Sequence, residues 1–339
     1  MKNNKMDIAI IGGGAIGSLV AGCLVEQGRE VVLISRKEHA DAINEKGLSV
    51  NGFGGEKNIR IRSLAKLDKE YGLVIFATKT QDLEHAYQEN NEHLENCYVL
   101  TTQNGVQADS ILGVHFEKEK MLSSIVMFGA TYAKPGHIAF NFSGDWIIGR
   151  PYVPLDEKAH EIAALLNTDI PVIVSNNIVG MKWVKLFVNF NNCICALIGK
   201  SMQETFADIN LCKLSILLLR EGIAIVKKAK IALVSLPTFP VDRIMGLVSM
   251  PFDQASGIIN KTLTKLSVEP LYGSILQSIM RDKTSEIDFI NGEVVHLAKQ
   301  MRDKAPLNEK IVDLVHEVER TKKYFAVDEL TKVFELDKV

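Results

Sequence analysis

Asp7-Ile-Ala-Ile-Ile-Gly-Gly-Gly-Ala-Ile-Gly17 is the stretch on which the reading of this 339-residue chain turns. Ile8 to Ile11 is an unbroken apolar run, the pattern of a parallel strand buried on both faces. The glycines then fall as Gly12-x-Gly14-x-x-Gly17, and an apolar helix is expected from Ser18 to Gln27. Gly12 permits a tight turn, Gly14 lets backbone approach a phosphate, and Gly17 lets helix and strand pack closely. The unpaired N–H groups at the helix start, around Ala15 and Ile16, then face the anion. Strand, loop, helix and a second strand at Glu30 to Ile34 arrive in the order that a dinucleotide-binding unit requires.

One rival reading of this stretch is a secretory leader. Lys2 and Lys5 precede an apolar run, and Val20-Ala-Gly-Cys23 has the form of a lipoprotein cleavage site. Against it, Asp7 interrupts the passage from charged to apolar, and glycines fill the supposed apolar core. Cleavage would also remove the first strand of a unit that the next strand completes.

A chain of this length favours two domains. With 47% hydrophobic and 24% charged residues, the composition is that of an ordinary soluble protein. The net charge of −2 offers nothing to nucleic acid or to a membrane surface. The five cysteines are an odd count with no C-x-x-C pair, which suits reduced thiols in the cytoplasm rather than disulfides or zinc. The eight histidines show no metal-ligand spacing, so no metal is expected. Leu214 to Val234 is apolar-rich but carries Arg220, Glu221, Lys227, Lys228 and Lys230, which suits a packed helix and not a membrane span.

After the second strand comes Ser35-Arg36-Lys37, where an adenine ribose would lie. NAD-selective folds place an acid here, and NADP-selective ones offer a cation to the 2′-phosphate. Arg36 and Lys37, with no acid before Glu38, favour NADP; otherwise Arg36 is a solvated loop charge. Leu48 to Arg62 is expected to form a hairpin turning at Gly52, Gly54 and Gly55. Leu73 to Ala77 and Tyr98 to Thr102 read as buried strands ending in Thr78-Lys79 and Gln103-Asn104-Gly105. Lys79 and Asn104 thus lie at the edge where open α/β sheets bind ligands, although turn chemistry alone also explains Asn-Gly.

Ser123 to Tyr132, Ile138 to Phe142 and Trp146 to Ile148 are expected to extend the same sheet with antiparallel neighbours. A helix at Asp156 to Leu166 and a strand at Pro171 to Val174 complete the first domain. Ser175-Asn176-Asn177 is a helix N-cap cluster. The expected fold class is α/β: a Rossmann-type doubly wound sheet over residues 1–175, then an all-α domain over 176–339. The charged residues from about Thr321 are expected to be peripheral.

Asn177 to Ala196 reads as one helix, apolar around its whole circumference and therefore buried. Lys185, Asn189 and Asn192 nevertheless fall on one stripe. A buried ammonium is costly unless paired, so the stripe suggests a polar ligand. The other account has Lys185 reaching the surface and the asparagines lining a packing groove; spacing does not choose between them. At Thr284 a further helix is expected, with Ser285 and Asp288 as its capping box and Glu286 at its positive end.

Taken together, the chain resembles the ketopantoate reductase (2-dehydropantoate 2-reductase) family over essentially its full length. The matching stretches are Ile11 to Gly17, Ala77-Thr-Lys79, Gln103-Asn-Gly105, Lys134-Pro-Gly136, Trp183-Val-Lys-Leu-Phe-Val-Asn189 and Thr284-Ser-Glu-Ile-Asp-Phe-Ile-Asn-Gly292. The resemblance implies NADPH-dependent reduction of a small 2-oxo acid, with Lys185 as general acid and Glu286 holding substrate and polarising the site. It implies Asn104, Asn189, Ser274 and the Cys193 position at the substrate, Lys79 and Asn104 along the nicotinamide cleft, and Arg36 on the 2′-phosphate. Cys193 stands where the family has a second asparagine; Asn192 beside it would point about 100° away on a regular helix. Ser278 and Gln107 also depart from the family pattern. A different 2-oxo acid as substrate and a non-catalytic NADP-binding sensor are the alternatives, and a homodimer is left open.

Overall fold

The computed structural model describes residues 6–338, so Lys2 and Lys5 of the leader reading lie outside the described residues. The chain divides into two compact units, Met1–Val179 and Gly180–Val339.

The first unit holds β1 (Ile8–Ile11), β2 (Val31–Ile34), β3 (Leu48–Gly52), β4 (Lys57–Ile59), β5 (Arg62–Leu64), β6 (Leu73–Phe76), β7 (Tyr98–Thr101), β8 (Met121–Val126), β9 (Gly129–Lys134), β10 (His137–Phe142), β11 (Trp146–Gly149) and β12 (Val172–Ser175). Its helices are α1 (Ala15–Glu26), α2 (Lys37–Lys46), α3 (Leu83–Asn90), α4 (Gln107–Leu112) and α5 (Glu157–Leu166). Eight strands form one sheet in the order β12-β11-β8-β7-β6-β1-β2-β5. β1 pairs in parallel with β2 on one side and β6 on the other. The winding reverses there, which opens a crevice beyond the carboxyl end of β1. Successive side chains of β1 point to opposite faces. Ile8 and Ile10 pack with α1 and α5, and Ala9 and Ile11 with residues of α3 and α4.

A second sheet, β4-β3-β10-β9, packs through Val50, Ile59, Ile138 and Phe140 into the same core as α1. A Cβ on Gly22 would stand 2.9 Å from Ile59 Cδ1, so this helix is closely covered on that side as well. Burial on both sides accounts for its all-round apolar character.

The second sheet corrects one expectation. The stretch from Ser123 to Tyr132 is two strands in different sheets. β8 continues the main sheet in parallel with β7, and of the three expected extensions only β11 is antiparallel to it. β9 and β10 form a hairpin, and β10 pairs in parallel with β3. Short alternating strands of this kind fit either sheet, and the distant β3 decides the matter.

Helix α6 (Ile178–Asn189) crosses the division between the units. The second unit continues with α7 (Asn192–Ile198), α8 (Met202–Thr205), α9 (Ile209–Lys228), α10 (Val241–Ser249), α11 (Phe252–Leu263), α12 (Ser274–Met280), α13 (Asn291–Gln300), α14 (Pro306–Thr321) and α15 (Val327–Val333). The single helix expected from Asn177 to Ala196 is therefore broken at Phe190–Asn191. Phe190 N bonds Phe187 O at 3.3 Å and Cys193 N bonds Phe190 O at 3.4 Å, the i to i−3 spacing of a tighter turn. The rings of Phe187 and Phe190 lie over Gly222 of α9, where a Cβ would come within 2.8 and 3.1 Å of them.

Two further expectations are corrected. The tail beyond Thr321 is integral: Leu330, Phe334 and Leu336 are buried, and Phe325 N bonds Leu197 O at 2.8 Å. Ser285 and Asp288 do not cap an α-helix, because α13 begins at Asn291. Glu221 of α9 caps α14 instead, accepting from Leu307 N at 3.0 Å and Asn308 N at 2.8 Å. Among the described residues, no helix is long and apolar enough to cross a membrane.

Candidate active site

In the first unit the glycine loop is held from below. Gly12 N and Gly13 N both donate to Ile34 O, at 3.0 and 2.9 Å. Gly12 has φ +118°, and a Cβ there would meet Thr78 N at 2.5 Å. A Cβ on Gly17 would meet Gly12 O at 2.1 Å. These two glycines are required by the fold itself. Gly14 differs: nothing lies within 4 Å of its would-be Cβ. It is the N-cap of α1, with no side-chain cap and no acid in the first turn. The amides of Ala15, Ile16 and Gly17 have no intrahelical acceptor, and the helix dipole adds positive potential. Close by, Thr78 Oγ1 is buried without a hydrogen-bond partner. An open approach, free amides and an orphaned hydroxyl fit a dinucleotide pyrophosphate.

His39 of α2 ties the start of α1 to the turn between β9 and β10. Gly136 N donates to its Nδ1 at 2.9 Å, so Nδ1 carries no proton and Nε2–H faces Ser18 Oγ at 3.0 Å. Burial keeps the imidazole pKa below its ordinary value, consistent with this neutral form. Arg36 is exposed at the N-cap of α2, one residue beyond Ser35. Lys79 and Asn104 are half-buried just past β6 and β7. Between those two ends lies Gln103, buried, donating to Phe76 O and Thr78 O at 2.9 Å each and accepting from Thr102 N at 3.0 Å. Gln103 belongs to the quoted Gln-Asn-Gly stretch, but its tie between two strand ends has no signature in spacing.

In the second unit, Lys185 sits on α6, half-buried. Burial pushes its ammonium down to about 8; the charge of Glu286 pulls it back up, and that of Lys182 pushes it down further. Lys182 is one helical turn away and only 4% exposed. Glu286 lies just before the 3₁₀ turn Ile287–Phe289, half-buried, with φ −103° and ψ 27°. The structure therefore brings Lys185 within reach of the charge of Glu286, a hundred residues further along the chain. Asn189, the last residue of α6, is half-buried.

The break after α6 alters the next polar position. Asn192 opens α7 and donates through Nδ2 to Ser274 Oγ at 3.3 Å. Ser274 is exposed at the start of α12. Cys193, expected at the substrate, is fully buried and its thiol donates to Phe190 O at 2.9 Å. Burial pushes that thiol's pKa far up, so it stays protonated and inert. Asn192, and not Cys193, is the side chain beside Ser274. Among the described residues, no group of three or more His, Cys, Asp or Glu is placed to hold a metal ion.

Known proteins agree with this architecture. The sequence pattern of ketopantoate reductase PanE/ApbA matches residues 8–151, and that of its C-terminal part matches residues 177–319. A 2-dehydropantoate 2-reductase of Pyrococcus abyssi is 30% identical over 306 residues, which covers 89% of this chain and 94% of the relative. Among solved structures, a PanE/ApbA family ketopantoate reductase from Ralstonia eutropha JMP134 superposes with a TM-score of 0.78 at 24% identity, covering 93% of this chain and 99% of that one. A ternary complex of D-mandelate dehydrogenase with NADH and anilino(oxo)acetate superposes with a TM-score of 0.77 at 24% identity and the same coverage. The family patterns span both units, and the chain is an oxidoreductase of the PanE/ApbA ketopantoate reductase family.

Proposed function

We propose that this chain reduces 2-dehydropantoate (ketopantoate) to pantoate, using NADPH and Lys185 as the general acid. The observation that carries the reading is the placement of Lys185 on α6, among buried apolar neighbours and within reach of the charge of Glu286, where burial pushes its ammonium down to about 8. A proton donor works best when its pKa lies close to the working pH. With a value near 8, about nine-tenths of Lys185 is charged at neutral pH. Lys185 gives its proton to the carbonyl oxygen as negative charge builds there, and its own charge stabilises that oxygen beforehand.

NADPH, when bound, supplies the hydride that the keto carbon accepts. Gly12, Gly14 and Gly17, with the amides of Ala15 and Ile16, hold the pyrophosphate, and Arg36 meets the 2′-phosphate. Lys79 and Asn104 orient the nicotinamide end. Asn104, Asn189, Ser274 and Asn192 bind the oxo acid, with Asn192 in the role expected of Cys193. Glu286 keeps Lys185 charged and orients the substrate. Residues 1–175 form the nucleotide domain and 176–339 the catalytic one, and the free thiols suit a cytoplasmic location.

A second reading keeps this chemistry and changes the 2-oxo acid. It is favoured by the buried Cys193 and by Asn192 beside Ser274, a different polar arrangement from the family's asparagine pair. The test is NADPH oxidation by the purified protein with ketopantoate and a panel of branched and aromatic 2-oxo acids. Highest kcat/KM with ketopantoate supports the first reading. A clear preference for another acid supports the second, and no turnover of any acid despite tight NADPH binding supports a sensor.

A further inference from the structure

Glu286 opens a short turn rather than a regular helix: Phe289 N donates to Glu286 O at 3.0 Å and Ile290 N to Ile287 O at 3.1 Å. Ile290, beyond that single 3₁₀ turn, has φ −120° and ψ −89°, outside helical values. Two residues of α14 hold the segment at either side of Glu286. Ser285 N donates to Glu319 Oε1 at 2.7 Å. His316 Nε2 lies 3.0 Å from Asp288 Oδ1, and its Nδ1 lies 2.8 Å from Glu319 Oε2. Ser285 Oγ also accepts from Ile287 N at 3.3 Å, and the Ile287 side chain is fully buried as an apolar pin.

We propose that His316 and Glu319 are positioning residues, a clamp from α14 that holds Glu286 facing Lys185. The proposal rests on the reading of Lys185 and Glu286 as the working pair. The chain Ser285–Glu319–His316–Asp288 is charge-assisted at each link to the imidazole, the stronger class of hydrogen bond. The charged groups acting on His316 are Asp288 from the turn and Glu319 from its own helix. Burial opposes the imidazolium, but these two carboxylates outweigh it and hold the pKa above its ordinary value. Glu319 is held below the usual carboxylate range: burial raises it, and the bonds from Ser285 and His316 outweigh that. Both carboxylates therefore favour the imidazolium, the form that donates from both ring nitrogens. Loss of either member frees the turn, and Glu286 then no longer supports the ammonium.

The test follows the Lys185 ammonium directly, by NMR titration of ε-¹³C-lysine protein, its signal assigned with Lys185→Arg. Glu286→Gln should lower the Lys185 midpoint from the wild-type value near 8. His316→Gln and Glu319→Gln should each lower it by about half a pH unit or more. They should also lower kcat about tenfold with NADPH affinity unchanged, and His316→Lys, which keeps a cation for both carboxylates, should restore most of the loss. If His316→Gln does not fold, Glu319→Gln carries the same reading. Wild-type Lys185 titration in both clamp variants, with a lowered midpoint in Glu286→Gln, overturns the clamp alone. No change in Glu286→Gln overturns the Lys185–Glu286 pair, and the clamp with it.

Discussion

Asn192 Nδ2 donates to Ser274 Oγ at 3.3 Å, joining the first residue of α7 to the first residue of α12. A Cβ on Gly273 would lie 2.7 Å from Asn192 Oδ1, so the amide is closely seated. The tightened turn after Phe187 sets this geometry, because each residue of a 3₁₀ turn advances about 120° against 100° in an α-helix.

Asn192→Ala should raise KM for the 2-oxo acid about tenfold, one lost hydrogen bond to a charged group, with NADPH affinity unchanged. Cys193→Ser should leave KM alone, since a hydroxyl can still donate to Phe190 O. Cys193→Asn should overfill a closed site and destabilise by ~1–3 kcal/mol. Steady-state kinetics and thermal denaturation separate the three.

The glycines of the loop should part into two kinds. Gly12→Ala places a Cβ 2.5 Å from Thr78 N at a positive φ and should prevent a stable fold. Gly14→Ala has open space at an ordinary φ, so melting should be unchanged while NADPH and NADH affinity both fall. Arg36→Ala should weaken NADPH by ~1.5–3 kcal/mol and leave NADH nearly untouched. Fluorescence titration of both nucleotides reads all three variants.

Gln103→Leu removes the donor shared by Phe76 O and Thr78 O and the acceptor for Thr102 N. Leaving such groups unpaired costs roughly 1–3 kcal/mol. The ends of β6 and β7 should loosen together, so Lys79 and Asn104 lose register. Melting temperature and kcat should both drop; unchanged kcat in the folded variant would leave Gln103 a purely structural role.

Lys185 carries a cost that its removal should reveal. Its folded pKa is near 8 against an ordinary 10.5, so the charged form is disfavoured in the native state. Between those values the unfolded chain binds more protons, and stability rises with pH. Below about 8 the penalty is at its full size. Lys185→Met should therefore stabilise the protein at neutral pH, by ~1–3 kcal/mol once solvent contact of the half-buried side chain is allowed for. Denaturant melts at neutral and alkaline pH should show this gain shrinking as pH rises.

The first unit was largely legible because two independent signals coincide in its opening residues. The run Ile8 to Ile11 has the pattern of a strand buried on both faces, and the glycine spacing admits few other loops. The second sheet was not legible, since β10 finds β3 through contacts that no local pattern encodes. At the site, Lys185 stood out as a charge in an apolar helix, whereas Glu286 read as an ordinary acid at a helix start and drew its role from the family resemblance alone. The helix break was hidden because Phe190–Asn191 contains neither glycine nor proline; its cause is the packing of two rings on Gly222. Cys193 was therefore expected at the substrate, whereas its thiol is buried against Phe190 O and Asn192 is the side chain beside Ser274. His316 and Glu319 gave no signal at all, as an i, i+3 pair of that kind is usual on any solvated helix.

The measurement closest to the central claim is the pH profile of kcat/KM for ketopantoate-dependent NADPH oxidation, wild type beside Lys185→Ala. Wild-type kcat/KM, which reports the free enzyme, should be level below the Lys185 value of about 8 and fall above it, as the donor loses its proton. Lys185→Ala should be slower by about a hundredfold or more below that value, with the gap narrowing above it, while binding NADPH normally. A Lys185→Ala enzyme that turns over within about threefold of wild type and keeps the same alkaline limb would contradict Lys185 as the proton source.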